Sequence, residues 1–236
     1  MRTRISYEDG TQPLEGYLSV LAGGNQRPSV LVVPTWLNVD DSMCERADRL
    51  AAFGYAVFVA DLFGAGIRPA PPEQPMLVVA PLLSDRSFFR RRLLASLDTL
   101  RRRPECDADR VAAVGYCLGG CGVLELARTG APLQGVVSLH GILAAPIPAE
   151  AAALRAKVLV LHGDADPHVP DDQLAAFRDE MRRAGANWEI NIYGNARHSF
   201  TGEGTLNRES PEAGLHQQSE RRSWRSTLEF LQEVLT

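Results

Sequence analysis

The sequence predicts an α/β protein with a mostly parallel central sheet of about seven to eight strands flanked by helices. Three observations carry this. Short Val-rich runs alternate with longer amphipathic segments along most of the chain. The runs are nearly continuous in hydrophobicity, as parallel strands buried on both faces must be. The 236 residues hold 45% hydrophobic and 23% charged residues, with no repeat and no linker-like break. One domain spanning 1–236 is expected, large enough to bury a core without disulfide or metal staples.

The strand candidates are 16–21, 29–33, 56–60, 111–114, 135–139, 157–161 and 188–193. Helix candidates are 41–53, 85–103, 118–128, 171–184 and 219–234. The fourth helix is the best punctuated. Pro170, Asp171 and Asp172 stand at its start, Arg182 and Arg183 in its last turn, and Gly185 follows. The polar opening stretch 1–10 yields no strand candidate; the Pro-rich stretch 68–81 and the Gly-rich stretch 194–214 read as long loops, where sites tend to be built. The apolar run 76–83, broken by Pro81, is strand-sized and far too short to span a membrane.

Composition narrows the function. The net charge of −4 argues against nucleic acid as a partner. The polar N-terminus lacks an apolar signal region, so a cytoplasmic location is expected. Four cysteines without paired CxxC spacing point to reduced thiols. No P-loop, dinucleotide fingerprint or metal cluster is visible, and neither a cofactor nor a metal is expected.

The sharpest signal is Val111-Ala-Ala-Val-Gly-Tyr-Cys-Leu-Gly-Gly-Cys121. Gly115 and Gly119 flank Cys117 at minus two and plus two, after a strand and before a helix. This is the nucleophile elbow G-x-S-x-G with cysteine for serine. The turn strains the nucleophile, and only glycine lets strand and helix pass so closely. A helix N-terminus beneath the sulfur favours thiolate over thiol. Cys121, one turn on, reads as a buried neighbour; Cys44 and Cys106 read as helix and loop residues.

Such a nucleophile needs an acid and a base, in the order nucleophile, acid, base. Asp166 follows a strand in His-Gly-Asp-Ala-Asp-Pro-His-Val-Pro (162–170), just before a helix start. His198 lies in the loop after the next strand. Asp164 competes with Asp166 but suits a turn residue bonding its own backbone. His140 and His162 read as strand-end hydrogen-bonding residues. His168 is too close to Asp166 in sequence to be its partner, yet is placed to line a pocket. His216 has no supporting context. Most arginines of 90–92 and 101–103 read as solvated or paired with Asp85, Asp98 and Glu105. Arg86 and Arg90 could meet a substrate carboxylate if their helix borders the pocket.

Along nearly its whole length the chain resembles the dienelactone hydrolase family of α/β-hydrolases. The resemblance rests on Gly-Tyr-Cys-Leu-Gly-Gly (115–120), Leu-His-Gly-Asp-Ala-Asp-Pro-His-Val-Pro (161–170), Tyr-Gly-Asn-Ala-Arg-His-Ser-Phe (193–200), Ala-Asp-Leu-Phe-Gly-Ala-Gly (60–66) and Glu-Arg-Arg-Ser-Trp (220–224). It implies the α/β-hydrolase fold, a Cys117–His198–Asp166 triad and an oxyanion hole from the N–H groups of Leu118 and Trp36. Two departures stand out. Where many members carry His-Glu or Gln-Glu after the strand 30–33, this chain has Pro34-Thr35. Where the type enzyme has an arginine just after the catalytic histidine, this chain has Thr201 and Gly202.

The expected function is hydrolysis of a small carboxylic ester or lactone through an S-acyl enzyme on Cys117. Thr35, Tyr116, Arg86, Arg90 and His168 are the candidate substrate contacts. With no carboxylate at position 35, a resting Cys117 thiolate paired with a His198 imidazolium is expected. The alternatives are a thioesterase or acyl transferase with the same triad, and a weakened hydrolase that binds a ligand or senses oxidants. A small molecule is the expected partner, with no nucleic acid and no membrane.

Overall fold

A computed structural model of the protein describes residues 2–23, 26–69, 75–149, 154–202 and 212–236. In chain order the strands are β1 (Arg2–Asp9), β2 (Gln12–Ser19), β3 (Arg27–Val33), β4 (Ala56–Val59), β5 (Cys106–Tyr116), β6 (Gly135–Leu139), β7 (Lys157–Gly163) and β8 (Trp188–Tyr193). The helices are α1 (Asp41–Ala51), α2 (Pro75–Ser84), α3 (Arg86–Arg101), α4 (Leu118–Arg128), α5 (Asp171–Ala184) and α6 (Gln217–Leu235). The eight strands form one sheet in the order β1-β2-β4-β3-β5-β6-β7-β8. The six strands from β4 to β8 in that order are parallel, and the β1–β2 hairpin is antiparallel and joins antiparallel to β4.

Strand alternation divides the interior in two. Leu31, Val33, Ala113, Val136, Val158 and Val160 point to the face covered by α2, α3, α4 and α5. Val30, Val32, Ala112, Val114, Val137 and Leu159 point to the other face, under α1 and α6. Two aspartates set helix starts: Asp40 accepts from Met43 N at 2.9 Å and Asp85 from Phe88 N at 2.9 Å. The best-punctuated helix closes at Gly185 in the left-handed conformation, φ 64°.

The structure corrects the sequence reading at three places. Residues 2–9 are an edge strand whose Thr3, Ile5 and Tyr7 are half-buried between exposed neighbours. Cys106 begins β5 and is not a loop residue. The run 76–83 belongs to helix α2 despite Pro81. Pro81 lacks a donor, but its own carbonyl still accepts from Asp85 N at 3.2 Å. Val79 and Leu82 anchor α2 in the core, which outweighs one missing helical bond. The part of the Gly-rich loop from 203 to 211 lies outside the described residues.

Candidate active site

The central strands β3 and β5 lie side by side, and the chain leaves them in opposite directions across the sheet, β3 to β4 and β5 to β6. Parallel sheets open a crevice at such a point beyond their carboxyl ends. The loop carrying Trp36 follows β3, and Cys117 follows β5. At the elbow Cys117 adopts φ 54° and ψ −113° and leads directly into α4. A Cβ on Gly115 would collide with the Gly119 carbonyl, and one on Gly119 with the Val33 carbonyl. The glycines are therefore required by backbone contact, not by flexibility.

The elbow brings Cys117 Sγ to 3.1 Å from His198 Nε2. Asp166 Oδ2 lies 2.8 Å from His198 Nδ1. Asp166 Oδ1 accepts from His168 N at 2.9 Å, so both carboxylate oxygens are engaged. Asp164, the competitor, is exposed and donates its backbone N–H to Tyr193 O at 3.0 Å. The His198 loop is pinned by a bridge to Ala213, with His198 N donating to Glu212 O at 3.1 Å and Gly214 N to His198 O at 3.0 Å.

Electrostatics favour the charged form of His198. Burial works against it, but the charge interaction with Cys117 and the Asp166 hydrogen bond outweigh burial, pushing the imidazole up to about 10. Burial also raises Asp166, yet its bond to His198 wins and holds the carboxyl below the usual carboxylate value. The other three thiols are pushed up, each chiefly by burial: Cys44 to about 11, and Cys106 and Cys121 in the same direction.

Cys117 and His198 border a cavity of about 340 Å³ lined by Trp36, Met76, Val79, Leu83, Leu118 and Ile142, with His168, Ser199, Glu212 and Ala213 completing its rim. No Lys or Arg lines it among the described residues. His168 is exposed, its ring edge-on to His198 at 4.8 Å between centroids. Asp166, His168 and His198 bring ligand atoms within 4.8 Å of one another. Asp166 and His198 are already bonded to each other, so this set suits a proton relay better than a metal.

Four expected substrate contacts lie elsewhere. Thr35 is fully buried, its Oγ1 accepting from Leu37 N at 3.2 Å and its carbonyl from Asn38 N at 3.1 Å. It shapes the turn that presents Trp36. Tyr116 is buried with the Arg46 guanidinium 4.9 Å over its ring. Arg86 is 6% exposed and donates Nη1 to Cys121 Sγ at 2.8 Å. Arg90 Nε bonds Glu125 Oε2 at 2.7 Å. Glu125 is fully buried and pairs Arg128 as well, so both α3 arginines serve a buried ion network beneath the elbow. The sequence signal for this was Glu125 on an otherwise apolar helix, since a buried carboxylate needs cations.

Three further residues went unread as site components. Val79 and Leu83 enter the cavity because 76–83 is helical, which an apolar run interrupted by proline does not announce. His140 approaches the elbow from β6.

The model of the dienelactone hydrolase family matches residues 14–235. An uncharacterised protein of Caenorhabditis elegans is 35% identical over 159 residues, 65% of this chain and 99% of its own length. A Salmonella typhimurium relative, to which the name carboxymethylenebutenolidase is provisionally given, is 27% identical over 227 residues, 91% of this chain and 80% of its own. Among solved structures, a dienelactone hydrolase-like promiscuous phosphotriesterase from metagenomic libraries superposes with a TM-score of 0.94 at 35% identity, covering 100% of this chain and 99% of its own. No helix among the described residues is long and apolar enough to cross a membrane. The family match runs across nearly the entire fold and both loops that meet at the elbow, and so the chain belongs to the dienelactone hydrolase family, as a hydrolase of the carboxylic ester and lactone class.

Proposed function

We propose that the protein hydrolyses small, uncharged esters or lactones through an S-acyl intermediate on Cys117. The observation that carries this reading is the Cys117–His198–Asp166 hydrogen-bonded series opening into an apolar cavity. The Cys117 thiolate adds to the substrate carbonyl carbon. The oxyanion is held by the N–H groups of Leu118, at the head of α4, and Trp36, each such donor contributing roughly 2.7–4 kcal/mol of barrier lowering. As the C–O bond breaks, His198 gives its Nε2 proton to the leaving alkoxide. The neutral imidazole then takes a proton from water, hydroxide adds to the thioester, and the thiolate leaves. Asp166 holds His198 in the tautomer that both steps use.

The cavity lining selects against charge. A substrate carboxylate would be desolvated among Trp36, Val79, Leu83 and Ile142 and would meet Glu212, with no arginine or lysine among the described lining residues to pair it. The apolar lining also suits an uncharged phosphotriester, the substrate type for which the solved structure that is 35% identical is named. The test is a panel of nitrophenyl esters with neutral aliphatic or carboxylate-terminated acyl groups, joined by one neutral phosphotriester. Neutral aliphatic esters are expected to exceed their carboxylate counterparts by at least about tenfold in kcat/KM, with turnover lost in Cys117→Ala. Preference for the carboxylate series, or turnover surviving in Cys117→Ala, would overturn the reading.

A further inference from the structure

We propose that His140 is a positioning residue for the nucleophile, holding the Cys117 backbone from a single neutral tautomer. The proposal rests on Cys117 being the nucleophile. His140 directly follows β6, is 1% exposed and adopts φ 40°, a left-handed conformation uncommon outside glycine. Its Nδ1 lies 3.1 Å from Cys117 N, and its Nε2 lies 2.7 Å from Thr201 Oγ1. A backbone N–H can only donate, so Nδ1 must accept. The ring proton therefore resides on Nε2 and is donated to Thr201 Oγ1.

The contacts close a circuit around the elbow. The Thr201 carbonyl accepts from Arg46 Nη2 at 2.6 Å. Arg46, on α1, lies over the ring of Tyr116, the residue before the nucleophile. The Cys117 N–H is shared between His140 Nδ1 and Leu139 O, the latter at 3.0 Å. The His140 ring also stands edge-on to His198, with centroids 5.3 Å apart, and to Phe200, at 5.2 Å. His140 thus joins the strained turn that carries Cys117 to the loop that carries His198. The 3.1 Å separation of sulfur and imidazole depends on both.

Protonation would break the arrangement. A cationic His140 turns Nδ1 into a donor facing the Cys117 N–H donor, and adds a positive ring beside His198. The charged and titratable groups around the ring are Cys117 at the head of α4, Asp166 and His198 from the loops after β7 and β8, and Arg46 from α1. Activity is therefore expected to need a neutral His140, a requirement separate from the charge state of the nucleophile pair.

Three variants test this. His140→Asn keeps a short side-chain acceptor without a titrating ring, His140→Leu removes the acceptor, and Thr201→Val removes the partner that fixes the tautomer. His140→Leu is expected to lose on the order of a hundredfold in kcat with KM unchanged, the size of effect that a misplaced reacting group produces. His140→Asn should recover most of that loss and show one fewer titration in the acid limb of its kcat/KM profile. Thr201→Val should fall between them. Wild-type kcat and an unaltered pH profile in His140→Leu, with Cys117→Ala inactive, would overturn the inference and leave the Cys117 mechanism standing. An active Cys117→Ala would instead overturn the mechanism itself. Should His140→Leu fail to fold, the acid limb of His140→Asn decides: one fewer titration supports the role, and an unchanged limb removes it.

Discussion

At the residue scale, the proposed reacting centre draws three hydrogen-bonded side chains from three separate loops. Asp166 is 5% exposed and uses one oxygen on His198 and the other on the His168 N–H, whereas Asp164 is exposed. Asp166→Asn presents an amide that can stabilise the wrong histidine tautomer. It is expected to lower kcat on the order of a thousandfold or more, while Asp164→Asn stays within about threefold of wild type as a surface change. Steady-state kinetics of the two variants decide, and equal losses would mean that Asp166 is not the orienting acid. His198 gives a second prediction. Its imidazole is raised from 6.5 to about 10, so it stays protonated through neutrality and loses its proton only at alkaline pH. The stability gained from holding that proton is present in full below about 6.5 and is lost as pH rises through about 10. An NMR titration of the His198 ring should show no transition between pH 6 and 8; a midpoint near 6.5 would refute the ion pair. The residue scale is also where the sequence was most legible. The G-x-C-x-G spacing and the order of Asp166 and His198 single out three side chains that the fold brings within hydrogen-bond distance. The roles of Tyr116, Arg86 and Arg90 were not legible, because each is set by a partner distant in sequence: Arg86 by Cys121, Arg90 by Glu125, Tyr116 by Arg46.

At the scale of elements, the elbow depends on a strand and a helix approaching until only backbone separates them. A methyl on Gly119 would be driven into the Val33 carbonyl, so neither β3 nor α4 can yield without shifting the nucleophile. Gly119→Ala is expected to destabilise the fold by about 3 kcal/mol or more and to lower Cys117 reactivity in whatever remains folded. Thermal melts and thiol labelling measure both, and a variant with wild-type melting and labelling would contradict the packing account. The parallel strands and their helices follow from apolar runs of the right length, and these were legible. Helix α2 was not, since Met76 to Leu83 carries neither a polar face nor a cap, and Pro81 argues against a helix on local grounds. Tertiary burial of Val79 and Leu82 decided the matter. The edge strand β1 was missed for the opposite reason: its arginines and glutamate face outward, and only Thr3, Ile5 and Tyr7 mark the inward alternation.

At the scale of the whole molecule, the sheet order puts the β3 and β5 loops together at its centre, and β7 and β8 deliver the acid and the base to the same edge. Beneath the elbow, Glu125 and the arginines around it fix α3 against α4, and no Lys or Arg lines the cavity above among the described residues. On the proposed reading, the fold sets Cys117 and His198 at the mouth of a mostly apolar space. The measurement that tests this most directly is intact-protein and peptide mass spectrometry after brief incubation with a neutral activated ester, quenched in acid. A single acyl group on the peptide containing Cys117, absent in Cys117→Ala and discharged on longer incubation with the release of free acid, is the predicted result. Hydrolysis with no adduct on Cys117 at any time, or acylation confined to Cys44, Cys106 or Cys121, would contradict the account.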